Sequence, residues 1–323
     1  MDLDTICKPI EKELEIFNKR YKESLSSDIS LIGKIMEYLL VQDSKKIRPI
    51  LVLLSSKMCG EPCENTYISA VLVEMLHTAT LIHDDVVDEA DRRRGVPSIN
   101  AIWQNKTSVL IGDWLFSRCL SNMIFMRDFD MLSLLSRTAE LLSEGEIRQI
   151  EGSSGWLIDE ESYYEMIFAK TASLFAASCR LGAMGVCASR DKVEALYDYG
   201  KNLGMAFQIK DDLLDFTGSE DEIGKPRFSD LKGNIMTLPL IYTLRRIEDE
   251  ERALLRKKIE LADNEESFVE IIKVVEKSGG IEYSERKINE FSMKAIEALR
   301  IFPDSEVKGS MIGFVHFNME RKK

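Results

Sequence analysis

The sequence predicts an all-α fold, a bundle of roughly a dozen helices around a deep central cavity, and three observations carry that expectation. Prolines number seven in 323 residues, and none lies between Pro97 and Pro226. That leaves a long interval, rich in good helix formers, with nothing to break a helix. Apolar residues recur at helical spacing, as at Ile6, Ile10, Leu14, Phe17 and Tyr21. No convincing strand is visible, because β-branched runs such as Ile271 to Val275 sit inside helical periodicity. No stretch has the composition of a linker, so residues 1–323 are expected to form a single domain.

The elements follow in order. The stripe from Ile6 to Tyr21 makes the first helix, and residues 31–40 a second. Pro49 opens a third, which the turn from Gly60 to Asn65 closes. A long helix is expected over 67–90, then a loop from Gly95 to Ser98. Helices near 107–126, 130–151, 162–187 and 191–216 come next, with breaks at 153–155 and 185–189. Residues 217–230 read as a polar loop carrying Gly218, Gly224 and Pro226. Thr237 is placed to cap a helix with Pro239 in its first turn, and Gly279-Gly280 and Pro303 separate the last helices.

Forty-three basic against 55 acidic residues give a net charge of −12, which argues against nucleic acid and against strong attachment to anionic lipid. An anionic ligand would need a few local cations, from metal or arginine. The acidic start, Met1-Asp2-Leu3-Asp4, lacks a signal-type apolar region, and no run suggests a membrane span. The six scattered cysteines complete no zinc site. A reduced, cytoplasmic setting is expected.

The helix over 67–90 ends in Asp84-Asp85-Val86-Val87-Asp88, followed by Arg92-Arg93-Arg94. On a helix these carboxylates share one face, repel one another and invite a hard cation such as Mg²⁺. A second copy, Asp211-Asp212-Leu213-Leu214-Asp215, ends another apolar helical run. One such motif is weak, since acidic helix ends are common; two suggest facing acidic walls across a diphosphate. The basic turn Lys45-Lys46-Ile47-Arg48 at a helix start makes a seat for a diphosphate, although alone it would pass for a solvated loop. His77 lies two turns before Asp84 and can donate to a phosphate oxygen. Lys170 and Thr171 interrupt an apolar helix, and Gln208 stands one turn before Asp212. A buried lysine needs a partner, which a diphosphate would supply. The oxygens of Thr171 and Gln208 can face a carbocation, with routine helix–helix hydrogen bonding an equal alternative.

These segments (KKIRP, HTATLIHDDVVDEADRRRG, IGDWLF, GEIRQIEG, AKTASLF, GMAFQIKDDLLDF, GKP and TLPLIY, in that order, with FVHFNMERKK at the end) resemble the trans-polyprenyl diphosphate synthases of the octaprenyl/heptaprenyl type. The resemblance implies the isoprenoid-synthase helical bundle, a homodimer, and three Mg²⁺ ions on Asp84, Asp85, Asp88, Asp211, Asp212 and Asp215. It implies that Lys45, Arg48, His77 and Arg94 hold isopentenyl diphosphate. Arg93, Lys170 and Lys225 would hold an allylic diphosphate, farnesyl or geranylgeranyl, with Thr171 and Gln208 facing the cation. The product would be a long all-trans chain of the kind used as a quinone side chain, with transient membrane contact for its release. A geranylgeranyl or farnesyl diphosphate synthase, or a subunit of a heteromeric synthase, is the alternative. Three positions depart from the family pattern: Asp43-Ser44 replace two glycines, Arg92 replaces an apolar residue, and Ile235 replaces a lysine, leaving one fewer cation for the allylic diphosphate.

Product length should be read along the first motif helix, because one helical turn of about 5.4 Å roughly matches one isoprene unit. Ala79 and Thr80, one turn before the aspartates, are small, with Leu76 and Val73 further back. The growing chain is therefore expected to pass them and stop lower, near Met123 or Phe125.

Overall fold

The structure, a computed structural model, describes residues 1–42, 45–93, 95–153, 159–217, 229–233, 235–262 and 264–321. Three helices are apolar on every side and form its centre: α4 (Ile47–Cys59), α5 (Glu64–Val87) and α9 (Ser173–Gly185). Runs such as Ile50 to Ser56, Ser69 to Leu76 and Ala172 to Cys179 are buried without a break. A helix with no polar face must be surrounded. Amphipathic helices do this: α1 (Leu3–Cys7), α2 (Glu11–Ser24) and α3 (Ser30–Val41) on one side, α6 (Ile99–Met126) and α7 (Phe129–Ser153) on another.

The remaining helices are α8 (Glu160–Ile167), α10 (Arg190–Thr217), the short α11 (Ser229–Lys232), α12 (Leu238–Arg246), α13 (Asp249–Leu261), α14 (Glu265–Ser278), α15 (Gly280–Ala298) and α16 (Glu306–Glu320). Side-chain caps set several starts, with Ser98, Asp159, Asn264 and Ser305 accepting from backbone N–H groups in the first turns of α6, α8, α14 and α16. Two apolar clusters result. One joins the N-terminal helices to α9, α10 and α16; the other joins α8 and α10 to α12 through α15. Met319 of α16 packs against both.

The sequence-based boundaries shift in four places. The first helix, expected as one from Ile6 to Tyr21, divides at a 3-10 turn (Lys8–Ile10) carrying Pro9 into α1 and α2. The motif helix ends at Val87 rather than 90, so Asp88 is its C-cap. The expected loop at 95–98 belongs to a short antiparallel pairing, β1 (Arg92–Arg93) with β2 (Val96–Pro97), too brief to show strand alternation. α6 starts at Ile99 rather than 107, and a break at Gln104 (φ 68°) separates its first turn from the rest. By length and composition alone α6 could cross a membrane, and a third of its most apolar stretch is buried. The polar loop expected at 217–230 lies largely outside the described residues.

Candidate active site

The last turn of α5 carries the first aspartate motif. Asp85 is buried and accepts from Arg93 Nε at 2.5 Å. The chain reaches that position by leaving α5 through Glu89 in the left-handed region (φ 48°) and turning back at β1. Asn100 of α6 fixes the turn by donating to the Asp85 and Ala90 carbonyls at 3.2 and 3.1 Å. Asp84 is half-buried, and burial followed by repulsion from Glu146 pushes its carboxyl up to about 7. Lys170 and Arg93 oppose that rise, so both cations stand near it. Asp88 is exposed.

Lys170 and Thr171 lie in a π turn (Phe168–Ala172) between α8 and α9. Such turns widen a helix by one residue and re-aim side chains. Lys170 Nζ is 2.8 Å from Glu146 Oε1 and 3.0 Å from Gln149 Oε1, both on α7. The approach is close because residue 145 is glycine: a Cβ there would meet Lys170 N at 2.6 Å. Thr171, the next residue, faces α10 and donates to Gln208 Oε1 at 2.6 Å. Gln208 Nε2 in turn donates to Asp212 Oδ1 at 2.8 Å, and the buried Tyr163 hydroxyl donates to Asp212 Oδ2 at 2.6 Å. Gly204 permits that contact of α10, since a Cβ would lie 2.6 Å from Ala172 Cα. Two adjacent residues of one turn thus address the two aspartate motifs.

The second motif is otherwise held by long-range partners. Asp212 is buried, and burial together with repulsion from Asp230 pushes its carboxyl up to about 7, against the hydrogen bonds from Tyr163 and Gln208. Asp215 is fully buried and accepts from the Asp230 backbone N–H at 3.1 Å. Asp211 pairs with Arg321 Nη1 at 2.6 Å.

The expected cations divide between two places. Lys45 Nζ lies 5.6 Å from the centre of the Phe317 ring, and the Arg48 guanidinium 5.1 Å from that of Phe175. Phe175 packs on Phe207, which lies 3.9 Å beneath the Arg321 guanidinium. The basic turn therefore faces the same aromatic row that leads to Asp211. His77 lines a cleft of about 70 Å³ with Asp85 and Arg93, and Lys46 of the basic turn lines it too, with Tyr21 and Leu39. Arg94 and Lys225 lie outside the described residues.

Among the chain-length candidates, Ala79, Leu76 and Val73 are buried, and Thr80 donates to the His77 carbonyl at 2.8 Å. α5 and α6 run antiparallel, with His83 seated on Gly112 and Cys119 Sγ donating to the Leu72 carbonyl at 3.4 Å. The C-terminal end of α6 therefore lies furthest from the aspartates. Met123 is buried there, but Phe125 is 70% exposed and points outward, so it cannot close a channel within this chain.

Sequence reasoning missed Tyr163, Glu146, Gln149, Asp230 and Arg321. Among the described residues no three His, Cys, Asp or Glu side chains already form a cation cage. The reason is visible in the partners that Arg93, Arg321, Tyr163, Gln208 and Asp230 supply. Even so, an all-oxygen donor set in which crowding and burial raise two carboxyls suits a hard divalent cation.

The chain is similar to known proteins over most of its length. The polyprenyl synthetase family model matches residues 29–275. An octaprenyl diphosphate synthase of Haemophilus influenzae is 32% identical over 321 residues, 99% of this chain and 98% of the relative. A heptaprenyl diphosphate synthase component 2 of Geobacillus stearothermophilus is 34% identical over 309 residues, 96% of each. The crystal structure of a polyprenyl synthase from Caulobacter crescentus, complexed with calcium and isoprenyl diphosphate, superposes with a TM-score of 0.94 at 31% identity, covering 100% of this chain and 98% of that one.

Proposed function

This chain belongs to the polyprenyl synthetase family, and on that footing we propose that it condenses isopentenyl diphosphate head-to-tail with an allylic diphosphate, farnesyl or geranylgeranyl, into a long all-trans polyprenyl diphosphate. One observation carries the reading: in the π turn, Thr171 joins the hydrogen-bond chain through Gln208 to Asp212, while its neighbour Lys170, paired with Glu146, lowers the pKa of Asp84 by its charge against the rise from burial. The octaprenyl and heptaprenyl names of the relatives support a long product, of the length used in quinone side chains.

Asp84, Asp85, Asp88, Asp211, Asp212 and Asp215 would hold Mg²⁺, three ions with substrate present, which supplies the charge that neutralises a departing diphosphate. The calcium in the Caulobacter complex supports a divalent cation. Lys170 and Arg93, with Lys225, hold the allylic diphosphate; Lys45, Arg48, His77 and Arg94 hold isopentenyl diphosphate. Thr171 and Gln208 keep their dipoles beside Asp212, fixed by Tyr163, where the allylic carbon develops positive charge. Buried walls exclude the water that would quench it. The proton lost from the new chain goes to the released diphosphate.

The 323 residues act as one domain, and a second copy covers the exposed Val109, Leu110, Leu120 and Ile124 of α6. Membrane contact is transient, for product release from a cytoplasmic enzyme. A subunit of a two-component synthase is the second reading, favoured by the component 2 name of one relative. Release of inorganic diphosphate from the allylic substrate in the presence of isopentenyl diphosphate tests the proposal: the chain alone should release it, and Asp84→Ala and Asp211→Ala should each lower the rate at least a hundredfold. Release only after a second, different protein is added would favour the two-component reading.

A further inference from the structure

Arg321 stands at the end of α16, more than a hundred residues from the motif it touches, yet its side chain is 6% exposed. Its Nη1 is 2.6 Å from Asp211 Oδ1, Nη2 donates to the Phe207 carbonyl at 2.7 Å, and Nε donates to Asn318 Oδ1 at 2.8 Å. Its plane covers the Phe207 ring at 3.9 Å. A guanidinium this well tied occupies one place rather than sampling solvent. Phe317, one turn earlier on α16, carries Lys45 on its ring, so a single turn of α16 touches both the basic turn and the second aspartate motif.

We propose that Arg321 is a built-in counter-ion of the second motif: it holds Asp211 when no divalent cation is bound and yields that carboxylate when one enters. The inference rests on the metal reading above. A cation bound to Asp211 at about 2.1 Å would lie within a few ångströms of the guanidinium, and the two repel. Asp211 is 42% exposed and can turn toward a cation, whereas Arg321 keeps the Phe207 carbonyl, Asn318 and the Phe207 ring. Arg321 is thus a positioning residue that sets the affinity of the empty motif for metal. It keeps the two aspartate walls from loading fully before a diphosphate adds its own negative charge.

The test is Mn²⁺ binding without substrate, followed by the loss of the free-ion electron paramagnetic resonance signal. Arg321→Gln should bind Mn²⁺ roughly fivefold more tightly than the parent, an effect sized for a partly exposed ion pair, and Arg321→Lys, which keeps the charge, should bind like the parent. In an Asp211→Asn background, Arg321→Gln should change nothing. Equal or weaker binding by Arg321→Gln overturns the proposal, as does the same gain in the Asp211→Asn background. Asn318→Ala guards against mere loosening of the α16 end, because it removes the Nε contact but keeps the charge; a gain in affinity there also overturns it. Absence of Mn²⁺ binding by every variant takes down the metal reading with it, whereas equal, finite affinities take down the counter-ion alone.

Discussion

Gly145→Ala should destabilise the chain and disable the site, although alanine is the better helix former. Within a helix the exchange is worth about 1 kcal/mol in alanine's favour. At residue 145 the added methyl would meet Lys170 N at 2.6 Å, Lys170 Cα at 2.9 Å and the Ala169 carbonyl carbon at 3.1 Å. These are backbone atoms, so α7 and the π turn must separate, and overpacking of this kind costs about 2–3 kcal/mol. The net loss is then about 1–2 kcal/mol. At roughly 0.7 kcal/mol/K of unfolding entropy for a chain of this length, Tm should fall by about 2 °C. Gly33→Ala is the internal control: it too lies in a helix, with nothing within 4 Å of the added methyl, and should raise Tm by about 1.5 °C. Turnover should fall at least tenfold for Gly145→Ala, because a shift below 1 Å at Lys170 misplaces the diphosphate, and stay unchanged for Gly33→Ala. Calorimetry and steady-state rates on the two variants provide the assay. Equal stabilisation by both substitutions would refute the claim that close approach at Gly145 positions the π turn.

Three further outcomes are expected. Ala79→Tyr should shorten the longest product to about fifteen to twenty carbons while condensation continues; an active variant with unchanged products would show that the chain does not pass Ala79. Because Asp84 and Asp212 titrate near 7 in the fold against 3.8 unfolded, the metal-free fold binds extra protons between those values and loses stability as pH rises through that window. In EDTA, Tm should therefore be higher at pH 5.5 than at pH 8, the difference should shrink in an Asp84→Asn/Asp212→Asn variant, and a flat profile in the parent would contradict the burial of these carboxyls. Leu120→Glu, on the exposed face of α6, should give monomers in light scattering if a second copy covers that face, and an unchanged mass would place the interface elsewhere.

Much of the site is written in short-range pattern. The two aspartate motifs, the basic turn and the Lys170-Thr171 pair are contiguous in sequence, and helical periodicity placed each at a helix end or inside an apolar helix. What escaped is set by packing between distant segments. Tyr163 and Arg321 reach Asp212 and Asp211 across 49 and 110 positions, and neither residue type signals such a partner. A π turn inserts one residue without changing the apolar pattern around it, so 168–172 reads as ordinary helix. The break at Gln104 opens the polar stretch Gln104 to Ser108, which hides the helical turn before it, so α6 begins earlier than its clearest periodicity. Phe125, expected as a floor from its distance along the chain, lies on the exposed side of α6, because depth along a helix does not tell which face a side chain takes.

The central claim is chain elongation at the twin aspartate motifs, and the length of the product tests it most directly. Purified chain given labelled isopentenyl diphosphate, farnesyl diphosphate and Mg²⁺ should yield, after removal of the diphosphate, all-trans alcohols longer than twenty carbons, with none formed by Asp84→Ala. Products that stop at twenty carbons would contradict the long-chain reading, and no incorporation at all would contradict elongation by this chain.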